Sequence, residues 1–101
     1  MVTTELPTVL ITGASTGIGA AYADRLAHRG HDLVLVARNE QRLRALASRL
    51  EHDVGVRVDL IKADLTSAPE LERVESRLQE DERIGVLINN AGEAAPGGWC
   101  R

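Results

Sequence analysis

Seven residues carry the densest chemical signal in the chain: Gly13-Ala14-Ser15-Thr16-Gly17-Ile18-Gly19, set between an apolar run and a stretch of helix formers. Glycines at such a junction permit a tight turn and let backbone N–H groups come close to a phosphate. The amino terminus of the helix that follows favours negative charge. The chemistry indicated is capture of a pyrophosphate, so dinucleotide binding is the leading reading and a purely structural turn the alternative. No Gly-Lys-Ser or Gly-Lys-Thr follows, so an ATP-type phosphate loop does not fit. The spacing is G-x-x-x-G-x-G, not the G-x-G-x-x-G of the commonest dinucleotide fingerprint.

Other chemistry-bearing residues are weaker candidates. His28 and His31 suggest a metal pair, but they fall at the carboxyl end of the first expected helix, where histidines interact well with the helix dipole; no metal site is assigned. Cys100 lies in an irregular tail with no helix amino terminus beside it and reads as an ordinary exposed thiol. Trp99, in the same tail, decides nothing. Tyr22 is most simply a packing residue of the first helix.

The elements that must hold the glycine turn are legible from periodicity. Thr8-Val9-Leu10-Ile11-Thr12, bounded by Pro7 and Gly13, suits a strand buried on both faces. Ala20 to Ala27 is rich in helix formers and Gly30 supplies a left-handed stop. Asp32 to Ala37 is a near-continuous apolar run and reads as a central parallel strand. From Asn39, a good cap, Leu43, Leu46, Ala47 and Leu50 recur with helical spacing. Val56, Val58, Leu60 and Ile61 are expected to form a third strand. Ser67 with Glu70 has capping-box spacing ahead of Leu71, Val74 and Leu78. Ile84 to Ile88 closes the series at Asn89-Asn90.

The resulting β-α-β-α-β-α-β alternation implies an α/β fold with right-handed crossovers: a partial Rossmann fold in three α/β/α layers, its parallel sheet of about four strands ordered 3-2-1-4. One unit is expected over residues 7–92, followed by an irregular tail over 93–101 that contains Pro96, Gly97 and Gly98. At ~30 residues per βα unit, a six-stranded dinucleotide fold needs well over ~150 residues. The 101 residues are therefore expected to hold its first half plus one strand.

Composition narrows the classes. Hydrophobic residues make up 44% and aromatics 2% with no Phe, which excludes disorder throughout and predicts an aliphatic core. The net charge of −3, with 12 basic residues interleaved among 15 acidic ones, leaves no cationic stripe for nucleic acid. The single cysteine excludes an internal disulfide framework and fits a reducing compartment. Met1 to Thr8 lacks a basic flank, and no run approaches the ~18 apolar residues of a membrane helix, so a cytoplasmic location is expected.

Thr12-Gly13-Ala14-Ser15-Thr16-Gly17-Ile18-Gly19 together with Asn89-Asn90-Ala91-Gly92 resembles the two signatures of the short-chain dehydrogenase/reductase family, over about residues 7 to 92. The resemblance implies a nicotinamide cofactor. By it, Gly13, Ser15, Gly17, Ile18 and Gly19 would line the phosphates and ribose, Asp64 and Leu65 would hold the adenine, and Asn90, Ala91 and Gly92 would border the cofactor's middle. Asn89 is taken as structural, and the Asn90 amide also suits tying off backbone groups at a strand end.

Ala37 and Arg38 occupy the end of the second strand, where a carboxylate would suit ribose hydroxyls and an arginine a 2′-phosphate. A charge-assisted arginine contact contributes about 1.5–3 kcal/mol, which favours NADP over NAD. Arg38 merely starting the second helix on the surface is the alternative.

In that family a tyrosine, with a lysine four residues later, delivers the proton. Here Tyr22 is followed at that distance by Leu26, and the only lysine, Lys62, belongs to the third strand. No catalytic residue is assigned. The expectation is the cofactor-binding part of an NADP-preferring alcohol/carbonyl oxidoreductase, inactive alone. The alternatives are a non-catalytic nucleotide-binding module pairing with a longer relative through the exposed fourth strand, or a poorly folding gene remnant.

Overall fold

Residues 6–15 and 17–90 are described by a computed structural model. Ala91 and Gly92, and the expected tail over 93–101 with Trp99 and Cys100, lie outside the described residues. The β-branched sequence Thr8–Thr12 forms β1, buried along its whole length, and Leu33–Ala37 forms β2, equally buried. Val58–Lys62 is β3 and Ile84–Asn89 is β4. Between them run α1 (Gly17–His28), α2 (Glu40–Asp53) and α3 (Ala68–Glu80). The four strands are parallel in the order β3-β2-β1-β4, the expected partial Rossmann arrangement.

Side-chain alternation along the strands divides the core in two. Val9, Ile11, Leu33, Leu35 and Val58 join Ala23 and Ala27 of α1 and Leu43, Leu46, Ala47 and Leu50 of α2. The intervening residues Leu10, Val34 and Val36 face the other way and pack with Ala63 and with Val74 of α3, so helices cover both faces. Val9 pairs with Leu33 and Ile11 with Leu35, the register that keeps each set on one side. A register slip between Thr8 and Val9 lets β4 continue past Gly85, where a Cβ would stand 2.7 Å from Cβ of Pro7.

The helix ends follow local chemistry. Asn39 Oδ1 accepts the Arg42 N–H at 3.1 Å, a cap that contributes about 1 kcal/mol, and the stripe beginning at Leu43 is buried as its spacing predicts. At Gly30 the expected stop forms, with His31 N–H donating to Leu26 O at 3.1 Å.

Four expectations need correction. The first helix begins at Gly17, inside the glycine motif, not near Ala20; the close approach of Gly19 to Gly13 compensates for the poor helix propensity of glycine there. Tyr22, expected to be a packing residue, is 45% exposed: α1 buries the small side of the helix, Gly19, Ala23 and Ala27, and Tyr22 lies off that stripe. Val56 precedes β3; the Arg57 N–H is held by the Asp32 carboxylate at 3.0 Å while the Val56 side chain still packs on the core, which is why it mimics strand alternation. The capping box at α3 does not form. Ser67 makes no side-chain cap bond, and Glu70 Oε1 instead accepts the Asp64 N–H at 2.8 Å.

Candidate functional site

In a parallel sheet of this order, the strand order reverses between β1 and β4, and a crevice opens at their carboxyl ends. Both sequence motifs end there. Thr12, fully buried, closes β1; its Oγ1 donates to Asn89 Oδ1 at 2.8 Å and accepts the Asn90 N–H at 2.9 Å. The Asn90 side chain then donates from Nδ2 to Gly13 O at 3.4 Å. One hydroxyl and two amides thus clamp the end of β4 to the start of the glycine turn. Thr12 carries no motif role in the sequence beyond its strand and signature position; a polar residue closing an otherwise apolar buried strand is the signal that marks it.

Gly19 completes the clamp. A Cβ on it would overlap the Gly13 carbonyl oxygen and stand 2.8 Å from Asn90 Nδ2, so only glycine lets α1 lie this close to β1. Gly17 has the opposite surroundings. Its φ is +40°, in the region that L side chains avoid, and among the described residues nothing beyond its chain neighbours lies within 4 Å of where a Cβ would be. Among the described residues the space at a Gly17 Cβ is thus open, at the amino terminus of α1, whose first-turn N–H groups have no intrahelical acceptors and whose first turn contains no acidic residue. Ser15 is half-buried in the turn and Ile18 is 66% exposed beside it. The arrangement suits an extended anion approached by backbone amides.

The remaining expected residues line the adjacent strand ends. Ala63 N–H donates to Ala37 O at 3.0 Å, holding the ends of β2 and β3 together; exposed Arg38 follows one strand and Asp64 the other. Asp64 Oδ1 accepts the Thr66 hydroxyl at 2.6 Å and the Thr66 N–H at 2.9 Å. Those bonds, with a smaller contribution from Arg38, hold its carboxyl below the usual carboxylate range despite some opposing desolvation. The Leu65 side chain packs on the α3-side core.

A carboxylate the sequence reading overlooked also belongs here. Glu40, two residues after Arg38, lies in the first turn of α2 and receives Nε and Nη2 of Arg44 at 3.1 and 2.7 Å. This fork holds Glu40 ionised below its ordinary value, and Lys62 adds to the effect.

The histidines are accounted for locally. Nδ1 of His28 is 2.8 Å from Asp24 O, and Nδ1 of His31 is 2.8 Å from Pro7 O. Among the described residues no helix is long and apolar enough to cross a membrane.

Known proteins match this geometry. A family model described as short chain dehydrogenase matches residues 7–98. The chain is similar to the bulky-bulky ketone specific alcohol dehydrogenase from Comamonas testosteroni, with a TM-score of 0.86 and 61% identity over 88% of this chain and 37% of that one. It is also similar to a short-chain dehydrogenase from Sphingobium yanoikuyae in complex with NADPH, with a TM-score of 0.85 and 67% identity over 86% of this chain and 34% of that one. A human relative, inactive hydroxysteroid dehydrogenase-like protein 1, is 37% identical over 87 residues, which is 86% of this chain and 26% of the relative. The chain thus spans between a quarter and somewhat over a third of the length of these proteins.

Proposed function

The chain belongs to the short-chain dehydrogenase family, and on that footing we propose that residues 7–92 are the NADP(H)-binding part of an oxidoreductase that interconverts alcohols and carbonyls. One observation carries the reading: the open space at Gly17, before a helix amino terminus free of carboxylates, in a turn fixed by Gly13, Gly19 and Asn90. The residues present fit a dinucleotide. A nicotinamide bound there supplies or accepts a hydride.

The chain's own residues bind and orient. Backbone amides over Gly13, Ser15, Gly17, Ile18 and Gly19 hold the diphosphate and ribose. Asp64 and Leu65 border the adenine, and Asn90, Ala91 and Gly92 the middle of the cofactor. Arg38 takes the adenosine 2′-phosphate, a preference supported by the NADPH found in the Sphingobium yanoikuyae relative.

Within these 101 residues no tyrosine is followed four positions on by lysine. That Tyr22 and Lys62 sit on different elements supports a chain that binds cofactor without itself delivering the proton that carbonyl reduction needs. Fluorescence titration with NADPH and NADH tests the reading. NADPH is expected to bind about ten- to a hundredfold more tightly, and Arg38→Ala to remove most of the difference. Binding of neither cofactor would overturn the proposal; ketone-dependent NADPH oxidation by the chain alone would overturn its non-catalytic part.

A second reading, a nucleotide-binding module that pairs with a longer relative, is favoured by β4. Among the described residues that strand pairs with β1 alone, and its Val86 is 40% exposed. Mass measured across a concentration series, alone and mixed with a longer relative, tests it, since a monomer throughout that captures no partner counts against the pairing module.

A further inference from the structure

We propose that Lys62, at the carboxyl end of β3, is a second specificity residue for a 2′-phosphorylated adenosine, acting beside Arg38 by offsetting the charge of Glu40. The inference rests on the cofactor reading above and deepens it.

The placement comes from the strand register. Ala37 and Lys62 are direct partners at the last step of the β2–β3 ladder, and the Ala63 N–H bond to Ala37 O extends that pairing to the strand ends. Opposed residues share a face of the sheet. Ala37 belongs to the core beneath α1 and α2, so Lys62 leaves the sheet on the side where α2 begins. Its main chain is fixed as well, because Arg73 Nη2 donates to Lys62 O at 3.0 Å.

Charge balance makes this position matter. Two carboxylates flank Arg38: Glu40 in the first turn of α2 and Asp64 after β3. Left uncompensated, a carboxylate there repels a phosphate dianion and suits a bare ribose hydroxyl. Arg44 is committed to Glu40 through both fork bonds, and the field of Arg38 is partly spent on Asp64. Arg38 and Arg44 match Glu40 and Asp64, Arg73 on the Lys62 carbonyl matches Glu70 on the Asp64 N–H, and Lys62 adds a positive charge beyond these three opposed pairs. The field of Lys62 reaches Glu40, where it helps to keep the carboxylate ionised.

Across a wet surface, one unit charge several ångströms from a dianion changes affinity by about three- to tenfold, and salt weakens the effect. The whole chain is titrated with NADPH, NADH and adenosine 2′,5′-bisphosphate, as wild type and as Lys62→Gln, Lys62→Arg, Glu40→Gln and the Lys62→Gln/Glu40→Gln pair. Lys62→Gln is expected to weaken NADPH and the bisphosphate about three- to tenfold while leaving NADH within about twofold. Lys62→Arg is expected to match wild type, and the Lys62→Gln effect to shrink in the Glu40→Gln background. Lys62 is exposed, so matching thermal melts are expected to show that the fold is retained. Equal weakening of NADPH and NADH, or no change in either, overturns the proposal while the cofactor reading stands. A wild-type chain that binds none of the three probes overturns both.

Discussion

Gly19→Ala probes the junction between scaffold and site. The added methyl would overlap the Gly13 carbonyl oxygen, stand 2.8 Å from Asn90 Nδ2 and lie 3.0 Å from the Gly13 carbonyl carbon. Two of these three atoms are backbone, and the third belongs to an amide already engaged with Gly13, so no flexible side chain can give way. Relief requires α1 to shift away from β1. Overpacking of this kind costs about 1–3 kcal/mol, offset by up to ~1 kcal/mol of helix propensity, and because the collision is with backbone a net loss of about 2 kcal/mol is expected.

For a domain of this size that corresponds to a melting temperature lower by roughly 8–16 °C, readable by circular dichroism. NADPH affinity should fall with it, because the same shift opens the turn. Gly17→Ala is the matched control. Its methyl meets no atom within 4 Å, and the cost is the left-handed backbone strain of about 1–2 kcal/mol, yet the methyl occupies the space before α1. Gly17→Ala should therefore lose NADPH binding at temperatures where it is still folded. A Gly19→Ala chain that melts within a degree or two of wild type and binds NADPH normally would refute the claim that contact between turn and helix shapes the site.

Thr12→Val keeps the shape of a buried residue but removes a donor to Asn89 and an acceptor for the Asn90 N–H, so a loss of about 2–3 kcal/mol is expected in urea denaturation, with Thr12→Ser retaining most of the stability. Asp81 is held far below its ordinary value of 3.8, first by hydrogen bonding from Arg83 and then from Arg77, with desolvation opposing. Because the folded-state value is depressed, its stabilisation is complete above the unfolded value and drains away as pH falls below about 4. Asp81→Asn should be less stable than wild type at pH 7, and the gap should narrow in acid melts; a gap independent of pH would contradict the assignment.

Fold and site were legible to different depths. The strands β1 and β2 and the helix α2 could be read because each satisfies one dominant pattern: unbroken apolar runs for strands covered on both faces, and a single stripe from Leu43 to Leu50 behind the Asn39 cap. The start of α1 was hidden because glycines 17 and 19 argue against a helix locally; close packing on Gly13 reverses that preference at Gly19, while Gly17, at φ +40°, marks the boundary. Tyr22, left to packing because Leu26 stands four residues on, is more exposed than that role implies, since α1 approaches the sheet on its smallest residues. Glu70 has the spacing of a cap partner yet spends its carboxylate on Asp64, a contact set by how the chain bends after β3. At the site, the glycine turn was visible as a motif. Its clamp was not, since Thr12, Asn89 and Asn90 are distant in sequence and meet only through the adjacency of β1 and β4. Glu40 escaped notice because the end of β2 was read only as far as Arg38.

The most direct measurement is an NMR titration of the isotope-labelled chain with NADPH, following backbone amides one by one. Capture of a diphosphate at the turn predicts saturable shifts at Gly13, Ser15, Gly17, Ile18 and Gly19, with the amides of Asp81 and Arg83 at the far end of the sheet unmoved. A folded chain whose turn amides do not respond at saturating NADPH would contradict the account.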